Sequence, residues 1–236
     1  MRIMCNENNQ IIDILLNYLS YKHLLIFLMR SRELYKNKPS IEFLEKTYYT
    51  PSKSCEMYNA VDKWCFNRDY ALKTLGHISR WNTMKITDMS YLFYKRSLFN
   101  DEIDDWIVYN VKDMKYMFYS ATFFNKSINS WNVSNVQDMR YMFYLCISFD
   151  KDLNNWNTKN VNSMKNMFFC AKIFNKPIGD WNISNVVDMT NMLSFATKFN
   201  QNLKNWNINI YKIKTDNMFY ETLNIKIENL PVFSNY

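Results

Sequence analysis

Two series of oxygen-bearing side chains recur along this chain and are the first residues that could do chemistry. One is Asp88, Asp113, Asp138 and Asp188; the other is Asn100, Asn125, Asp150, Asn175 and Asn200. Carboxylates and amides in register are the donor set of a calcium site. Such a site needs several oxygens converging on a glycine-bearing turn, and these turns carry no glycine. Capping of helix starts accounts for the aspartates. Stacked side-chain amides that satisfy turn backbone account for the second series. No metal and no cofactor are expected.

Other catalytic constellations are missing from the sequence. His23 and His77 stand alone, and His77 reads as structural. No nucleophile sits in a recognisable motif, and a phosphate-cradling loop cannot be built from 2 glycines. The cysteines Cys5, Cys55, Cys65, Cys146 and Cys170 are odd in number and never spaced as a metal-binding pair. Cys146 and Cys170 fall at small-residue positions of successive repeats, where a buried thiol packs like alanine. This usage fits a reducing compartment, so an intracellular, cytoplasmic, non-enzymatic protein is expected.

The elements that position these residues are set by repetition. Trp81, Trp106, Trp131, Trp156, Trp181 and Trp206 are each 25 residues apart, and the copy after Trp206 gains one residue before Met218. A fixed period of this size signals stacked units, none of which can bury its apolar face alone. In the third copy, Trp131, Val133 and Val136 mark a short strand. Asn135 and Asp138 then cap a helix whose buried stripe is Met139, Met142, Phe143 and Cys146, at i, i+3, i+4 and i+7. The expected fold is an α/β repeat solenoid, leucine-rich-repeat-like, with one short strand plus one helix per 25-residue unit. A small all-helical N-terminal module precedes it. The chain divides into residues 1–48 (helical module), 49–80 (linker and capping helices), 81–230 (five full repeats and one degenerate repeat) and 231–236 (tail). Val61, Trp64, Ala71 and Leu72 form the cover for the first repeat, with Gly76 at a helix end.

The motif WNVSNV-x-DM-x-x-MFY-x-x-x-x-FN, repeated from Trp81 to about Leu230, resembles the BspA-like leucine-rich repeat family. That resemblance implies protein-binding arrays, found on bacterial surfaces and in protists and large DNA viruses, and no catalysis. The wealth of Asn, Lys, Ile and Tyr reads as the coding bias of an AT-rich genome, and a viral source would place the protein in the host cytoplasm.

Toward the N-terminus, IIDILLNYLSYKHLLIFLMRSRELYKN (residues 11–37) has apolar positions at helical spacing with a break suited to an N-cap at Ser20. This segment is similar to an F-box, although the usual Leu-Pro entry is absent. The resemblance implies docking on a Skp-type adaptor of a cullin ubiquitin ligase through Ile14, Leu15, Leu19, Leu24, Leu25 and Leu28. The alternative is a helical cap that packs on the repeats. Asp13, Asn17, Lys22 and His23 interrupt the apolar run, so no membrane span is expected.

Two surfaces could bind a partner protein. At helical spacing, Tyr91 and Tyr94, Tyr116 and Tyr119, then Tyr141 and Tyr144 fall opposite the Met/Phe stripe, forming a tyrosine ladder of the kind found in binding patches. Packing between helices is the structural alternative. The expected strand face offers Asn82, Asn132, Asn157, Asn182 and Asn207, interleaved with Tyr109, Ser134, Lys159 and Ser184. The net charge of +7 comes from scattered lysines without a basic run, so nucleic acid is not an expected partner.

Overall fold

A computed structural model describes residues 19–30 and 48–235. Among the described residues three α-helices precede the repeats: α1 (Tyr21–Arg30), α2 (Ser54–Phe66) and α3 (Arg68–Leu75). The Asn67 side chain caps α3 by accepting from the Tyr70 amide, and Gly76 ends it with a φ of 71°. Helix α2 buries Met57, Ala60, Val61 and Trp64, and the Trp64 ring meets Trp81 edge to face at 6.0 Å. The Tyr58 hydroxyl donates to the Ser90 carbonyl at 2.7 Å. These contacts cover the open side of the first unit.

In the five full units the expected helix and strand do not form. Within residues 81–206 the chain runs through linked turns, joined by parallel bridges Asp88↔Asp113, Asp113↔Asp138, Asp138↔Ser163 and Ser163↔Asp188. The reason is where the amides point. An α-helix returns every N–H to the carbonyl four residues back. Here Leu92, Tyr94 and Arg96 donate three residues back, to Met89, Tyr91 and Phe93. The alternate amides leave the unit: Met89 to the Asp113 carbonyl at 2.9 Å, Tyr91 to Lys115 at 3.0 Å, Phe93 to Met117 at 2.8 Å and Lys95 to Tyr119 at 2.7 Å. Left-handed φ angles at Tyr91 (59°) and Lys95 (57°), and at both matching positions of every later unit, block a continuous helix.

Burial nevertheless follows the expected stripe. Met139, Met142, Phe143 and Cys146 are fully buried, as are their counterparts one unit earlier, Met114, Met117, Phe118 and Ala121. Aromatic columns run through the stack. Phe93, Phe118, Phe143 and Phe168 succeed one another at 5.3, 5.6 and 5.4 Å, near the spacing of paired strands. Each of four tryptophans anchors its indole N–H on a buried carbonyl: Trp106 on Ile78, Trp131 on Ile103, Trp156 on Ile128 and Trp181 on Leu153, all at 2.9–3.0 Å.

The extra residue of the sixth unit is absorbed just after Trp206. Strand β1 (Asn207–Asn209) pairs in parallel with β2 (Val232–Ser234), and register is restored by Lys214, which bridges Asp188. The tail therefore pairs with its own chain. At the other end α1 buries Tyr21 and Leu24. Its Lys22 ammonium reaches the Ser130 hydroxyl at 2.7 Å, and His23 lies 3.4 Å from the Asp105 carboxylate.

Candidate functional site

The structure brings all six ladder tyrosines together on one face. Tyr91, Tyr116 and Tyr141 form one column, with ring centroids 4.7 and 4.5 Å apart. Tyr94, Tyr119 and Tyr144 form a second, at 4.9 and 4.6 Å, which Phe169 extends at 4.7 Å. The columns stand 5.5–5.7 Å apart within each unit. The rings stand on turns rather than on helices.

In the first column the backbone makes the tyrosines unusual. Tyr91, Tyr116 and Tyr141 hold φ angles of 57–59°, and the same position in later units is Asn166, Asn191 and Asn217 at 53–55°. Asparagine enters the left-handed region readily, whereas a bulky side chain there is disfavoured by roughly 1–2 kcal/mol. Stacking offsets part of this. Tyr116, the middle ring of this column, is stacked on both faces and leaves only its edge, the electropositive rim of the aromatic quadrupole, open to contact. Burial, then the neighbouring Tyr141 and Tyr91 phenols, push the Tyr116 hydroxyl up to about 12. Burial raises Tyr144 as well. Both stay neutral hydrogen-bonding groups at pH 7.

Cations line the ladder. Lys115 pairs with Asp113 at 2.6 Å and Arg140 with Asp138 at 2.6 Å. Their carboxylates also accept backbone N–H groups two residues on, from Lys115 and Arg140, as Asp88 and Asp188 do from Ser90 and Thr190. The aspartates thus cap turns, not helix starts. The second oxygen series forms a continuous chain of bonds. Asn100 accepts from the Asn125 amide, Asn125 from Asp150, Asp150 from Asn175, Asn175 from Asn200 and Asn200 from Lys226, at 2.9–3.0 Å. Among the described residues no cluster of three or more His, Cys, Asp or Glu could hold a metal ion.

On the other expected surface, Asn82, Asn132, Asn157 and Asn182 accept from the amides of Met84, Ser134, Lys159 and Ser184, so each folds back on its own turn. A neighbouring column was not foreseen: Asn110, Asn135, Asn160 and Asn185 donate to carbonyls one unit back at 2.7–2.8 Å, so Asn135 joins two units and does not cap a helix. They line a polar groove of about 490 Å³ with Lys112, Gln137 and Asn162. Their common 25-residue spacing was the available signal.

Of the N-terminal docking residues, Leu24 is fully buried inside the chain and Leu19 is half-buried, its carbonyl accepting from the Tyr48 hydroxyl at 2.9 Å. Leu25 and Leu28 lie on α1, while Ile14 and Leu15 lie outside the described residues. The two repeat cysteines differ. Cys146 is buried, donates to the Phe118 carbonyl at 2.8 Å and is raised far above the usual thiol range by burial. Cys170 is only half-buried and sits at a left-handed position (φ 56°), not at the small-residue core position.

A family model described as "Mycoplasma protein of unknown function, DUF285" matches residues 63–169 and again 127–230. No curated protein and no solved structure matches the chain. No helix among the described residues is long and apolar enough to cross a membrane. The two matches together span most of the chain, which belongs to this family of BspA-like repeats.

Proposed function

We propose that this member of the family is a non-enzymatic protein-binding array, a solenoid whose target docks across the tyrosine ladder. The observation that carries the reading is the choice of tyrosine at Tyr91, Tyr116 and Tyr141, where the same backbone geometry holds asparagine in the last three units. Local folding preference favours asparagine there, and a strained residue is kept where it serves a function. Tyrosine is also a residue type from which interaction hot spots are built. The proposed setting is the cytoplasm.

The ligase-adaptor form of this reading adds a Skp-type adaptor bound to the N-terminal segment through the F-box-like residues. A specific observation favours the plain array instead. Leu24 is buried, and Lys22 and His23 already bind Ser130 and Asp105 of the repeats, so α1 serves the chain itself. An adhesion role of the bacterial BspA kind is the third form.

Affinity capture with the full-length chain and with the Tyr116→Asn/Tyr141→Asn variant, read by mass spectrometry, tests the array. A target retained by the first and lost by the second supports the ladder; identical sets of partners refute it. Co-elution of a Skp-type adaptor with the full-length chain decides between the ligase and plain forms.

A further inference from the structure

At the N-terminal end of the ladder a cavity of about 200 Å³ opens between α2 and the first unit, lined by Cys65, Phe66, Lys95, Arg96 and Leu98 among others. Its rim holds two large apolar side chains in water: Phe66 is 74% exposed and Leu98 is 81% exposed. The Arg96 guanidinium lies 4.3 Å from the Phe66 ring centroid and covers one face of the ring. The cavity is too small for a drug-sized ligand and suits one side chain.

The electrostatics select what that side chain belongs to. Arg68 is forked onto the Asp101 carboxylate at 2.7 and 3.0 Å, and Asp101 also accepts from the Trp64 indole at 2.9 Å. Arg96 is paired with Asp62. Both carboxylates are thereby committed, and three cations face two anions. The surplus charge is Lys95, whose ammonium lies 5.1 Å from the Tyr94 ring centroid and has no carboxylate partner among the described residues. Burial pushes the Cys65 thiol up to about 11, so the cavity wall adds no negative charge at pH 7. Lys95 links the cavity wall to the ladder, since its ammonium lies over Tyr94, the first ring of the Tyr94–Tyr119–Tyr144 column.

We infer that this cavity anchors the ladder's target through one aromatic or aliphatic side chain flanked by a carboxylate: the side chain packs on Phe66 and Leu98, and the carboxylate pairs with Lys95. This rests on the ladder reading, and it identifies the target as a protein segment that is acidic and apolar at its point of contact. The occupant is acidic rather than basic, since the surplus charge beside the cavity is the Lys95 ammonium.

Phenylacetate and phenethylammonium, one ring with opposite charges, are the probes. Each is titrated into the full-length protein, and the backbone amides of Phe66 and Leu98 are followed by NMR. Phenylacetate is expected to saturate with a dissociation constant on the order of millimolar, about fivefold tighter than phenethylammonium, the scale of one exposed ion pair. Lys95→Glu is expected to abolish that preference; the same position is Glu221 in the sixth unit, at a φ of 55°, so the backbone accepts it. Leu98→Ser, at an exposed site, is expected to weaken both probes. Equal affinity for the two ions, or no movement of these amides, overturns the inference. Tyr116→Asn/Tyr141→Asn leaves probe binding intact, so loss of target capture by that variant and loss of probe binding by Lys95→Glu report on the two readings separately.

Discussion

The phenol rings of Tyr116 and Tyr141 lie face to face, their centroids 4.5 Å apart and their planes within 7° of parallel. Both residues hold left-handed backbone angles of 57°, so the closest stack on the ladder is built on two positions that suit asparagine better.

Replacing these two tyrosines by asparagine therefore exchanges a stacking loss of about 0.5–1.5 kcal/mol for relief of backbone strain of similar size. The double variant is expected to unfold within a few degrees of the parent, whereas Met142→Ala, in the fully buried core, costs about 2–5 kcal/mol. Thermal unfolding followed by circular dichroism checks the ranking. A large loss in the asparagine variant would show that the ladder is structural.

Trp131→Phe and Trp206→Phe separate the indole hydrogen bond from the ring. The Trp131 indole donates to the Ile103 carbonyl at 3.0 Å, while the buried Trp206 Nε1 has no partner among the described residues. Removing the first costs one buried hydrogen bond, at about 0.5–1.5 kcal/mol, since the Ile103 carbonyl still accepts from the Trp106 amide at 3.1 Å; removing the second relieves an unpaired donor. Chemical denaturation is expected to place Trp131→Phe well below Trp206→Phe. Equal losses would contradict the assigned bonding.

The two glycines respond differently to a methyl group. A Cβ on Gly179 would lie 2.1 Å from the Asn202 carbonyl oxygen, while at Gly76 nothing lies within 4 Å and only the φ of 71° opposes the change. Gly76→Ala is expected to cost about 1–3 kcal/mol, because a φ of 71° with a ψ of −176° is a conformation essentially confined to glycine. Gly179→Ala must push one unit away from the next and is expected to be the more damaging, seen as faster amide hydrogen exchange in the last two units.

Alkaline pH weakens the ladder. The Tyr116 hydroxyl is raised from its ordinary value of 10.0 to about 12, so the folded state favours the neutral phenol. The resulting stabilisation is complete below pH 10 and is lost as pH rises through 12. Spectrophotometric titration near 295 nm is expected to show a late-titrating phenol that Tyr116→Phe removes. Unchanged curves would place the late phenol elsewhere.

What the sequence reveals and what it hides can be seen in one unit. Met139, Met142, Phe143 and Cys146 are spaced as one helical face, and all four are buried. The same spacing also fits a run of three-residue turns, and periodicity cannot distinguish the two when alternate amides bond to a neighbouring unit. The discriminating sign was Asn166, Asn191 and Asn217, a column of the residue that best tolerates left-handed backbone; the tyrosines in the first three units concealed it. The ladder needed only the period to be foreseen, since any position repeated every 25 residues stacks on itself. The Phe66–Leu98 cavity joins α2 to the first unit, a junction outside the period, and nothing in the repeat announced it.

The chain of bonds from Asn100 through Asn125, Asp150 and Asn175 to Asn200 has a genetic corollary. Each link asks only that the following unit present an amide at the same place, whatever its number in the series. Unequal recombination that duplicates or deletes one whole 25-residue copy would leave every junction of this kind intact. Copy number can thus change without breaking this chain of bonds, and a gain or loss among the first three units lengthens or shortens the ladder by one tyrosine pair.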